Sequence, residues 1–81
     1  MILEEPKIGL PVYCEETQQV YMIEGWDFDH RKLALKNLTN LDAPLTHIDP
    51  AKLRELPDNW GTKTYYEEMT RNIMERRAKS R

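Results

Sequence analysis

Two stretches of the chain carry side chains able to do chemistry. Asp27-Phe28-Asp29-His30 sets two carboxylates and an imidazole within four residues. Such oxygens suit a divalent cation, but a calcium loop needs more ligands at fixed spacing and a closing Glu, and no Gly or later Glu completes one here. The two Asp residues also carry turn chemistry, so the segment reads as a polar β-turn. Cys14 could form a thiolate–imidazole pair with His30 or His47. It sits inside a β-forming run with no nucleophile signature around it, where a free Cys behaves as a small buried hydrophobe. The chain has no Gly-rich phosphate loop, no Ser elbow and no His-Glu-x-x-His motif. The expectation is a non-enzyme, with no catalytic, metal or cofactor-binding residue assigned.

The aromatic and basic side chains point to binding instead. Two Trp, four Tyr and one Phe in 81 residues are more than one thin core hides with ease. Trp and Tyr bring large contact area with a polar handle, which favours them at interface hot spots. Trp26, Phe28, Trp60 and Tyr65 are therefore the candidate partner-binding residues. Trp26 and Phe28 alternate in a bend, so one of them should face outward. Arg71, Arg76, Arg77, Lys79 and Arg81 form a basic end that could meet phosphates, which makes nucleic acid the alternative partner. The same charges also suit the negative end of a helix dipole.

Charge is divided along the chain. The net charge of -2 combines 11 acidic and 6 basic residues in positions 1–61 with 3 acidic and 6 basic in positions 62–81. That is an acidic body followed by a basic tail, a statement about partners more than fold. At 9.7 kDa, roughly 5,100 Å² of folded surface is expected from roughly 14,000 Å² unfolded, enough for one thin core and little room for a deep substrate cavity. No apolar run reaches membrane-span length. No basic-then-apolar leader opens the chain. One cysteine cannot staple a monomer. Together these features suggest a cytoplasmic protein with no membrane association.

The elements that must position these residues follow from local pattern. Pro11–Glu15 and Gln19–Glu24 read as strands around a polar turn at residues 16–18. Val20 to Ile23 are all apolar or aromatic, which suits a strand covered on both faces or coiled in a small barrel. Gly25 inside that pattern marks a bulge or sharp bend. Leu33 and Leu35 alternate with Lys32, Ala34 and Lys36 in a half-buried strand over residues 31–37. Residues 37–42 form a loop anchored by Leu38 and Leu41, and Leu45–Ile48 is a short fourth strand. Asp49 is a good N-cap and Pro50 fits the first helical position, so residues 50–56 read as a short helical turn that turns Leu53 and Leu56 toward the sheet. Pro57 stops it.

Residues 62–81 read as an amphipathic helix with a Thr64–Glu67 capping box. Tyr66, Met69 and Ile73 make its apolar stripe, flanked by Tyr65 and Met74. That stripe offers a homodimer contact. It ends at residues 73–74, so residues 76–81 are expected to fray.

Ile8–Tyr13, Gln19–Ile23, Lys32–Leu35 and Leu45–Pro50, in that order, resemble an SH3-like small barrel of the broad group that includes KOW and Tudor domains. The resemblance covers about residues 7–56 and implies an antiparallel barrel of 4–5 strands. The chain lacks the Ala-Leu-Tyr-Asp-Tyr type opening of signalling SH3 domains and a Gly-centred KOW core. In style it is similar to small bacterial, phage or plasmid accessory proteins. The expected architecture is a mainly β domain over residues 1–61 and a C-terminal helix over 62–81. The expected role is a non-catalytic, regulatory module binding a protein partner.

Overall fold

The computed structural model describes residues 7–56 and 63–79. In it the β-forming runs become five strands: β1 (Pro11–Cys14), β2 (Gln19–Asp27), β3 (Lys32–Asn37), β4 (Thr46–Ile48) and β5 (Leu53–Glu55). They form one open antiparallel sheet in the order β4-β3-β2-β1-β5. A 3-10 turn, Pro50–Lys52, precedes β5, and helix α1 spans Lys63–Lys79. The expected mainly β chain with a C-terminal helix is what forms.

β2 is buried on both faces. Val20, Tyr21, Met22 and Ile23 are all buried, and alternation sends them to opposite sides. Tyr21 and Ile23 join Val12, Cys14, Leu33, Leu35, Ile48 and Leu53 in one cluster. Val20 and Met22 join Leu38 and Leu56 in a second, against which Tyr13, Tyr66, Met69 and Ile73 pack. The helix stripe of Tyr66, Met69 and Ile73 is therefore applied to the chain's own sheet, not left open for a second copy. Thr70, between Met69 and Ile73 on the same face, is buried and donates its hydroxyl to the Glu67 carbonyl at 2.9 Å.

Several boundaries differ from the sequence expectation, three strand ends (of β1, β3 and β4) by one residue and four others for reasons the packing supplies. β2 continues through Gly25 and Trp26 to Asp27, because β3 supplies a ladder partner along its whole second half. The helical turn at 50–56 stops at Lys52. Asp49 caps it as expected, accepting the Ala51 N–H at 2.9 Å, but Leu53–Glu55 then becomes β5 and pairs with β1. Tertiary pairing overrides a short helical propensity there. α1 begins at Lys63, so Thr64 is already helical and does not cap. The helix also stays formed through Lys79, past the point where the apolar stripe ends, because Arg77 finds a partner on the sheet.

The β1–β2 and β2–β3 hairpins each use a four-residue loop whose last residue is left-handed without being glycine: Gln18 at φ 57° and Arg31 at φ 54°. A non-glycine residue there costs roughly 1–2 kcal/mol. Replacing Gln18 or Arg31 by Gly is thus expected to raise stability by about 0.5–1 kcal/mol after the extra unfolded-state entropy of Gly is counted. Urea denaturation of each variant checks this.

Candidate functional site

The register shift in β2 determines what faces solvent. Ile23 opposes Leu35 and Gly25 opposes Ala34, so Glu24 is the extra residue of a β-bulge. Trp26 then opposes Leu33, and opposed residues point to the same face, so Trp26 returns to the side of Ile23 and Leu33. Without the bulge the period of two would send it to the helix side. Trp26 sits at the end of that face, 41% exposed, with Phe28 beside it at 82%. Their rings meet edge to face, centroids 6.4 Å apart. Both aromatics of the bend face out, where one was expected.

This aromatic ridge separates two shallow grooves. On one side Ile8, Ile23 and Leu33 give an apolar lining. On the other lie Ala34, Leu45 and His47 together with the carboxylates of Glu24, Asp27 and Asp29, and among the described residues no Lys or Arg lines it. Gly25 lines both grooves. A Cβ built on Gly25 would meet nothing within 4 Å, and its φ is not left-handed, so neither crowding nor a turn requires glycine there.

Asp27 organises the bend. Its Oδ1 accepts the backbone N–H of Asp29 at 3.0 Å and of His30 at 3.2 Å. Its Oδ2 lies 2.7 Å from His30 Nδ1 and 3.4 Å from His47 Nε2. The His30 side chain, with its backbone N–H and that of Asp29, holds the Asp27 carboxyl below the usual aspartate range. The Asp27–His30 segment is thus the polar β-turn that the sequence suggests, with His47 added from β4. Among the described residues no group of three or more His, Cys, Asp or Glu is placed to hold a metal ion. Cys14 is 1% exposed within the core, and both imidazoles turn to Asp27.

The other candidate residues are dispersed. Tyr65, 58% exposed, lines a separate groove with Leu41, Met69 and Ile73. It does not share a surface with Trp26 and Phe28. Trp60 and Arg81 lie outside the described residues. Arg71, Arg76 and Lys79 are exposed on α1. Arg77 is turned to the sheet: its two terminal nitrogens donate to Glu24 Oε1 at 2.5 Å and Oε2 at 2.6 Å. The expected set of five phosphate-facing residues therefore loses Arg77. Sequence reading missed this contact because nothing local links positions 53 residues apart. It also missed His47, Leu45 and Ile8 as neighbours of the aromatic ridge.

Two ion pairs lie within the acidic body. Glu15 pairs with Arg54 at 2.5 Å and Glu16 with Lys52 at 3.0 Å, tying the first hairpin turn to the segment around β5. No family model, curated protein or solved structure matches this chain. No helix among the described residues is long and apolar enough to cross a membrane.

The Glu24 side chain is only 14% exposed. The Arg77 hydrogen bonds hold its carboxyl below the usual glutamate range, against the opposing effect of burial. A depressed carboxyl stabilises the fold above its unfolded-state value and loses that contribution as pH falls through the folded value. Arg77→Ala is expected to cost about 1 kcal/mol at neutral pH. The difference from the unaltered protein should shrink as pH drops through the carboxylate range, which thermal melts across pH 3–7 would reveal.

Proposed function

We propose that the chain is a non-catalytic interaction module built on an SH3-like small barrel. It acts in the cytoplasm by binding a protein partner through the Trp26–Phe28 ridge and altering that partner's activity. The observation that carries this reading is Phe28, a large apolar ring 82% exposed and propped edge to face by Trp26 on the strand beside it. An aromatic pair held out on a strand end, with grooves on both sides, has the composition of a hot spot and contributes little to the core. The barrel reading is supported by the strand order β4-β3-β2-β1-β5, by a 3-10 turn just before the last strand, and by one buried cluster that draws a side chain from every strand. A five-stranded sheet that buries one face without a second sheet opposite does so by curling on itself.

The nucleic-acid alternative is weaker on the same geometry. Arg77 is committed to Glu24, and one of the two grooves beside the exposed aromatics carries carboxylates that would repel phosphates.

A photo-crosslinking amino acid at position 28, in cells that express the chain, is expected to trap one predominant protein, and Trp26→Ala should abolish that product. Phe28→Ala should change stability by about 1 kcal/mol or less, since so exposed a ring carries little folding energy beyond its contact with Trp26, whereas Trp26→Ala should cost about 1–2 kcal/mol because more than half of Trp26 is covered. Trapping of nucleic acid, or no product that depends on Trp26, would overturn the reading.

A further inference from the structure

We infer that the occupant of the Trp26–Phe28 surface is a protein segment presenting an arginine or lysine next to an apolar side chain, laid across the ridge with the cation in the acidic groove. This rests on the interaction-module reading and names its partner's chemistry.

The two grooves differ in charge, and that difference selects the ligand. Among the described residues, the groove beside Ile8 and Leu33 offers only apolar side chains and glycine. The groove on the other side offers three carboxylates and, among the described residues, no Lys or Arg in its lining. Glu24 is answered by Arg77, and Asp27 by two imidazoles, so Asp29 supplies the carboxylate least engaged by neighbours. An acidic surface beside exposed aromatic faces attracts a cation twice, through Coulomb attraction and through the ring quadrupole. A ligand with no positive group would bury the Asp29 carboxylate without supplying it a partner. A phosphate-bearing ligand would be repelled.

Gly25 is an independent sign that something approaches closely. It lies where both grooves meet, and its own fold neighbours leave room for a side chain. A strand interior disfavours glycine, and at this bulge neither a left-handed φ nor crowding calls for it. Gly25 lines both grooves with no side chain of its own to stand between them, which suits one extended segment reaching from one to the other.

A random seven-residue peptide library displayed on phage and selected on the immobilised full chain tests this. The expected clones place Arg or Lys within two positions of an aromatic or branched aliphatic residue. Peptides made from those clones should bind at least tenfold more weakly to Asp29→Lys and to Gly25→Val, while Gly25→Val keeps the melting temperature of the unaltered protein or exceeds it. Clones without basic residues that still need Phe28, or binding indifferent to Asp29→Lys, would overturn this inference and leave the interaction-module reading standing. If no clones are enriched, or binding is unchanged by Phe28→Ala, both readings are overturned.

Discussion

The whole structure depends on one strand being buried on both sides. Val20 through Ile23 leave no position that tolerates water, so β2 must have apolar cover on each face at once. One cover is the sheet's own inner face, gathered from all five strands. The other is α1, whose Tyr66, Met69 and Ile73 pack over Val20 and Met22. An isolated sheet of short strands would leave one of those faces wet, and an isolated helix with so brief a stripe would be marginal in water. Each element is thus stable chiefly because the other covers β2.

The same strand then changes its register, and the binding surface originates there. A single extra residue, Glu24, returns Trp26 to the inner side at the mouth of the fold and leaves Glu24 itself to meet Arg77 from the last turn of the helix. The bulge therefore does two things: it exposes an aromatic edge, and it anchors the helix end that would otherwise have nothing to hold it. The bend that follows is kept rigid by Asp27, whose two oxygens serve two backbone donors and two imidazoles. Phe28 owes its projection to that bend.

Charge reads differently in three dimensions. Along the chain, an acidic body and a basic tail suggest two faces for two kinds of partner. In the fold, Glu15, Glu16 and Glu24 are each answered by a cation brought from elsewhere, and Arg77 leaves the tail's solvent face to do so. The acidic character that remains beside the exposed rings comes from the bend at Asp27–Asp29. Local charge at a groove, not the balance of a segment, sets what can dock there.

Much of the architecture was legible because it is encoded in short-range pattern. The run Val20–Ile23 announces a doubly covered strand, Leu33 and Leu35 a half-buried one, and Asp49-Pro50 a capped turn. Gly25 marks the bulge, and Tyr66, Met69 and Ile73 mark the face of the helix. These signals depend on neighbours within four residues, so sequence alone determined the β-then-helix order, most of the core and the exposure of one of the two rings at the Trp26–Phe28 bend. Only tertiary structure decided that Leu53–Glu55 pairs as a strand, that the helix stripe covers the chain's own sheet, that Arg77 answers Glu24, and that His47 joins Asp27. Each of these joins residues far apart in the chain. Such contacts form only after the intervening loops have closed, and no local spacing records which partner will then be in reach.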